Sequence, residues 1–164
     1  MSSIILGIDP GFALLGFSFL ENKDRNRQKV LTYGVIETKA STPIEQRLLH
    51  ISTELEMLIK KYNPELMAIE NLYFGKNAKT AIDVGQARGV ILLQAAQAQL
   101  PIIEFTPLQI KMALTGYGRA DKHQVQIMVK QLLGLKSIPK PDDAADAIAV
   151  ALTAAVSNPN HFKN

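Results

Sequence analysis

The period of the apolar positions changes along the chain, and each change marks an element. "SIILGID" (3–9) is an apolar run closed by Asp-Pro-Gly, which predicts a buried strand entering a turn. "LLGFSFLE" (14–21) and "KVLTYGVIET" (29–38) flank the charged stretch "NKDRNRQ" and predict a strand meander. From Thr42-Pro43 the spacing becomes helical, with Ile44, Leu48, Ile51, Leu55, Leu58 and Ile59 on one side of a helix over 43–62. After Asn63-Pro64 a second buried strand is predicted over "ELMAIENLYF" (65–74), then a long helix over 78–99 rich in Ala, Gly, Val and Leu. A fifth strand, "IIEFT" (102–106), precedes helices near 107–115 and 121–133, and a last helix starts at Pro141-Asp142. No repeat, low-complexity tract or linker interrupts this order, so residues 1–164 read as one domain with a short tail from about 157. The order is that of an α/β protein: a mixed five-stranded sheet flanked by helices, with antiparallel strands on one side.

That order fits a ribonuclease-H-like architecture, although other mixed folds share it. Composition changes this picture little. Hydrophobic residues are 47% and charged residues 20%, an ordinary globular balance with enough chain to bury a core. With no Cys, disulfides and thiolate metal sites are excluded, and a reducing compartment fits. "MSSIILGIDPG" reaches an Asp before a signal-peptide core is complete, and no run is long enough to span a bilayer, so a cytoplasmic protein without a membrane partner is expected.

Four acids stand out by position. Asp9 ends the first apolar run and Glu70 ends "LMAI", and strand ends are where open α/β sheets gather their ligands. Asp143 and Asp146 lie three apart in the first turns of an otherwise apolar helix, hence on one face, while Asp142 after Pro141 is expected to cap it. Singly, each has a bland reading: Asp9 as a turn residue, Glu70 as a solubilising strand end, Asp143 as a charge on the helix dipole. Brought together unpaired, four carboxylates would raise one another's pKa values, a cost that oxygen-ligated Mg²⁺ or Mn²⁺ removes. Two such ions roughly 3.5–4 Å apart suit in-line phosphodiester hydrolysis. The formal charge is +3, and setting four acids aside for metal leaves +7 on the remainder, a footprint suited to a polyanion or simply to a solvated basic surface.

"IILGIDPG", "IENLYFGKN", "GQARGV" and "DDAADAIAVA" resemble, in order and spacing, the motifs of the RuvC family of Holliday junction resolvases, over about residues 4–156. The resemblance implies a ribonuclease-H-like fold, a homodimer, and paired, Mg²⁺-dependent nicking of four-way DNA junctions, with two Mg²⁺ per subunit and Mn²⁺ able to substitute. It implies Asp9, Glu70, Asp143 and Asp146 as the catalytic, metal-holding acids and the RuvA–RuvB branch-migration complex as partner. The turn "FALLG" departs from the family at Phe12 and Leu15, and Tyr73 stands where Phe is usual.

Beside Glu70, "LYFGKNAK" places Tyr73 and Phe74 where they could stack on exposed bases, with Lys76 and Asn77 near phosphates. By the resemblance Tyr73 probes the crossover, whereas core packing remains open for Phe74. "FTPLQIKMALTGYGRADKHQV" carries Lys111, Arg119 and Lys122, and the corresponding family segment binds DNA through residues matching Lys111 and Lys122. Read alone, these are three solvated charges in a helix–loop–helix. Arg88, within "GQARGV", is a further expected DNA contact. His50, His123 and His161 share no ligand spacing and read as surface residues, although His123 beside Lys122 could meet phosphate. The small residues of 78–99 suit close packing, in part against a second copy by the resemblance. "GKNAKT" is not a P-loop, because the G-x-x-x-x-G-K-[ST] pattern is absent. Rival readings are an ATPase of the actin/Hsp70 type, which needs two such lobes, a junction-binding module without catalysis, and a generic ribonuclease-H-like RNase.

Overall fold

Three successive strands fold back on one another before the first helix: β1 (Ser3–Asp9), β2 (Leu14–Asp24) and β3 (Arg27–Glu37). A computed structural model describes residues 2–24, 27–71 and 78–157 of the chain. After α1 (Ile44–Tyr62) the chain returns as β4 (Leu66–Glu70), crosses through α2 (Ala78–Gln97) and adds β5 (Ile102–Phe105). Then follow α3 (Pro107–Thr115), α4 (Lys122–Leu132) and α5 (Asp142–Val156). The sheet order is β3-β2-β1-β4-β5, antiparallel on the β3 side and parallel from β1 to β5. The mixed sheet expected from the sequence is therefore present.

Strand alternation divides the core in two. Leu6 and Ile8 of β1 and Met67 and Ile69 of β4 pack with Ile51 and Leu55 of α1 and with Ala87, Ile91 and Ala95 of α2. Ile5 and Ala68 face the other way, onto Ile148 and Leu152 of α5. Behind α5 lie Ile110 and Leu114 of α3 and Val125 and Val129 of α4, so α5 is sandwiched between the sheet and two helices. An Ala-rich helix that is apolar all round suits that position.

The approach of α5 to the sheet is very close. A methyl group on Gly7 would stand 2.2 Å from the Ala147 carbonyl oxygen, and one on Gly16 would stand 2.1 Å from that of Asp143. Between these glycines the Ser18 hydroxyl donates to the Ala147 carbonyl at 2.9 Å. Glycine here provides the space that lets a helix backbone lie against strand backbone.

Boundaries differ from the sequence expectation where tertiary contacts intervene. The β2–β3 ribbon extends through most of "NKDRNRQ", pairing out to Asp24 and Arg27. β4 ends at Glu70, after which the Asn71 N–H donates to the Phe105 carbonyl at 2.8 Å. Residues 72–77, the rest of that expected strand, lie outside the described residues. The expected helix over 78–99 closes at Gln97, and α4 closes at Leu132.

Candidate active site

Asp9 and Glu70 are the last residues of β1 and β4, adjacent parallel strands in which Ile8 stands beside Ile69. Their parity, shared with Ile5 and Ala68, turns both acids toward α5. Opposite Asp9 on β2 is Gly16, the residue whose missing Cβ admits the first turn of α5. That turn carries Asp143, and Asp146 follows one turn on. Two strand ends and one helix start thus bring the four predicted acids together, close enough that Asp9 interacts electrostatically with Glu70, Asp146 and Asp143.

Asp142 corrects the sequence reading. The N-cap of α5 is Pro141, and no side chain caps the helix. Asp142 is already the first helical residue, and its carboxylate accepts from Lys140 Nζ at 2.9 Å and from Gln126 Nε2 at 3.4 Å. The Lys140 hydrogen bond and the Lys122 and Lys140 charges hold its pKa below the usual carboxylate range. A residue whose own φ and ψ are helical cannot fold its side chain back as an Ncap does, and here its oxygens serve the lysines instead.

The electrostatics are those of crowded acids. Burial, then the charges of Glu70, Asp146 and Asp143, push Asp9 up to about 8. Burial and Asp146 raise Glu70, although a hydrogen bond with the Asp9 carboxyl and the Lys122 and Lys111 charges pull the other way. Burial likewise raises Asp146 against the opposing pull of Lys122. Two carboxyls sharing a proton, with a third acid nearby, carry the charge problem that a divalent cation solves.

One cation already stands among them. Lys122 Nζ lies 2.8 Å from Asp146 Oδ2 and 3.7 Å from Asp142 Oδ2. Burial alone would lower the pKa of this ammonium, but the Asp146 hydrogen bond and the charges of Asp146, Asp142 and Asp143 outweigh it, and the net direction is up. Its place is set locally: Lys122 opens α4, directly after a capping box in which Asp121 and Gln124 satisfy each other's backbone N–H. With Asp146 turned onto this lysine and Asp9 onto Glu70, no three acids among the described residues converge on a single point. The donor set nevertheless suits a hard divalent ion: carboxylate oxygens only, and an Asp9 carboxyl whose pKa burial and three neighbouring acids push up to about 8.

Lys111 joins Glu70, Pro107, Lys122 and Asp146 around a cleft on one side of the acids. On the other side a groove runs from Asp143 past Phe12 to Arg47 and Asp83. Arg47 carries no mark in the sequence. Its Nε donates to Thr38 Oγ1 at 2.9 Å, its guanidinium lies 3.7 Å over the Phe12 ring, and Thr38 Oγ1 donates to the Phe12 carbonyl at 2.5 Å. These contacts pin the departing "FALLG" turn that leaves Asp9, and Phe12 and Leu15 are both buried core residues. Nothing local in the sequence couples an α1 arginine to that turn, and the bulky Phe12 was the only hint.

Of the remaining expected residues, Tyr73, Phe74, Lys76 and Asn77 lie outside the described residues. Arg119 is exposed on the loop before α4. Arg88 is largely buried on α2, donating through Nη2 to Glu104 Oε1 at 2.5 Å, with Nη1 lacking an acceptor among the described residues. That pairing ties α2 to β5, apart from the four acids. His50 and His123 are exposed, and His161 lies outside the described residues.

The Asp9 shift has a signed consequence for stability. Its folded pKa of about 8 lies above its ordinary 3.8, so the metal-free fold retains a proton that the unfolded chain has lost. Stability contributed at this site therefore falls as pH rises from about 4 to about 8. Urea midpoints measured in EDTA across that range should show Asp9→Asn gaining on the wild type as pH rises, by a few kcal/mol at the upper end (about 1.4 kcal/mol per pKa unit). A constant difference between the two proteins across the range would contradict the shift.

Fold and site together define a class: a ribonuclease-H-like domain with a carboxylate cluster at the ends of its two central parallel strands. The model of one family, crossover junction endodeoxyribonuclease RuvC, matches residues 5–154. A crossover junction endodeoxyribonuclease RuvC from Caldicellulosiruptor saccharolyticus is 57% identical over 148 residues, 90% of this chain and 89% of that one. T. thermophilus RuvC, solved in complex with Holliday junction substrate, superposes with a TM-score of 0.90 at 35% identity, covering 94% of this chain and 93% of that one. The yeast mitochondrial Holliday junction resolvase Ydc2, 13% identical with a TM-score of 0.65, shares the fold alone, covering 93% of this chain and 78% of that one. The chain belongs to the RuvC family.

Proposed function

We propose that this chain makes paired symmetric nicks in four-way DNA junctions, by metal-dependent phosphodiester hydrolysis, during recombination and repair. The observation that carries this reading is the electrostatic proximity of Asp9 to Glu70, Asp146 and Asp143, beside a lysine-lined cleft in a RuvC-family chain. Asp9, Glu70, Asp143 and Asp146 would hold the metal, with Mg²⁺ as the natural ion, two per subunit, and Mn²⁺ able to substitute. Bound divalent cations supply activation of an attacking water and neutralise charge on the leaving oxygen.

The chain's own residues divide the remaining work. Asp9 and Glu70, fixed on strand ends, anchor the site, while Asp143 and Asp146 reach it from a helix held against Gly16. Lys111 and Lys122 border the cleft where a phosphate would be gripped, and Tyr73, Phe74, Lys76, Asn77 and Arg119 are the further proposed DNA contacts, whereas Arg88 is held in its ion pair with Glu104. A homodimer supplies two sites for two strands. It is supported by the outer face of α2, where Gly85 and Gly89 have open space and Ile82 and Leu93 are exposed. Leu93→Glu should shift sedimentation from dimer to monomer, and an unaltered sedimentation coefficient would remove that face from the contact. The RuvA–RuvB complex as partner rests on family membership. Among the described residues no helix is long and apolar enough to cross a membrane, and a cytoplasmic setting is part of this proposal.

The deciding experiment is a nicking assay on a synthetic four-way junction, with Mg²⁺ or EDTA, beside linear duplex and RNA–DNA hybrid. Symmetric, metal-dependent nicks confined to the junction are expected. Binding without cutting, or cleavage of the hybrid, would overturn the reading. Lys122→Ala should also weaken junction binding and reduce the slope of log affinity against log salt by about one. An unchanged slope would mean that Lys122 meets no phosphate.

A further inference from the structure

The half-exposed Lys122 ammonium is held against one of the acids. It makes the shortest lysine contact in the site, 2.8 Å to Asp146 Oδ2. Asp142, the alternative partner, is 3.7 Å away and already accepts from Lys140 at 2.9 Å. Lys122 thereby occupies one of the two acids, Glu70 and Asp146, that line the cleft with Lys111. Lys111 lines the same cleft yet makes no ion pair with these acids among the described residues.

We propose that Lys122 is an internal counter-ion: it pairs with Asp146 while the acid cluster is metal-free, and it must leave that oxygen before a divalent cation can be held there. This rests on the metal-dependent reading above. An ammonium hydrogen-bonded to a carboxylate oxygen excludes a second cation from the same lone pairs, and the two cations repel. The lysine has somewhere to go. Its backbone is fixed by the Asp121–Gln124 capping box, but its stem is flexible and its side chain is 52% exposed. Released, it swings on that anchor to the mouth of the cleft, where a DNA phosphate would lie. Loading the acids and gripping DNA become coupled through one side chain, and the coupling is reciprocal by linkage.

Mn²⁺ titration of the DNA-free full chain by calorimetry tests this, using wild type, Lys122→Met and Lys111→Met. Lys122→Met should bind Mn²⁺ about tenfold more tightly than wild type, within the range of measured couplings. Lys111→Met, which removes a like charge from the same cleft without an ion pair to break, should gain threefold or less, a long-range charge effect alone. Equal gains in the two variants, or no gain in Lys122→Met, would overturn the proposal. A second measurement avoids substitution: acetylation of the wild-type Lys122 amine should speed up several-fold on adding Mn²⁺, and a rate indifferent to Mn²⁺ would equally overturn it. If Asp9→Asn and Asp146→Asn bind Mn²⁺ as the wild type does, the metal assignment itself fails, a result distinct from failure of the lysine exchange.

Discussion

Asp146→Asn should lower the rate of junction nicking at least about a thousandfold, some 4 kcal/mol of barrier, while junction affinity stays the same or rises. The amide is close in size to the carboxylate, so the helix keeps its place, but it brings no negative charge to the proposed metal site. Binding should hold because Asp146 repels phosphate and, in the metal-free chain, occupies Lys122 at 2.8 Å. Removing the acid leaves the lysine free for DNA. Single-turnover nicking in Mg²⁺ and equilibrium binding in EDTA measure the two effects separately. Cutting near the wild-type rate would remove Asp146 from the chemistry. A parallel loss of binding and cutting would instead indicate a structural role.

Gly16→Ala is expected to fail differently, through the backbone. Its new methyl would lie 2.1 Å from the Asp143 carbonyl oxygen and 3.2 Å from Asp9 Cβ, so α5 must move away from the sheet at the point where Asp143 approaches Asp9. Gly7→Ala would press on the same helix one turn along, 2.2 Å from the Ala147 carbonyl oxygen. Overpacking against backbone rather than a flexible side chain has little means of relief, and each substitution should cost about 3 kcal/mol in urea unfolding. They separate in activity. At a temperature where both variants remain folded, Gly16→Ala should lose nicking by a hundredfold or more, because Asp143 and Asp9 are pushed apart. Gly7→Ala, farther from the acids, should retain most of it. Unfolding free energies within about 0.5 kcal/mol of wild type would mean that the helix does not sit as closely as described.

How far all this was legible in the sequence differs from residue to residue. Asp9 and Glu70 were readable because an acid closing an apolar run is out of place unless its strand end has a use. Asp143 and Asp146 were readable because carboxylates have no business on an otherwise apolar helix. The place of Asp142 is not readable, since Pro141 followed by Asp looks the same whichever residue takes the Ncap backbone angles. Arg88 stood out for its motif, yet its observed partner is Glu104, across the α2–β5 junction.

By itself the sequence determined the elements, because a period of two or of 3.6 is written locally, and it determined which acids were available. Only the tertiary structure decided that β1 and β4 lie side by side, so that Asp9 meets Glu70. It alone decided that Gly7 and Gly16 clear a lane for α5, that Arg47 and Thr38 pin the turn at Phe12, and that Lys122 reaches Asp146. These contacts join residues far apart in the chain through complementary shape and charge. Such complementarity leaves no local period to read, because neither partner's sequence neighbourhood depends on the other.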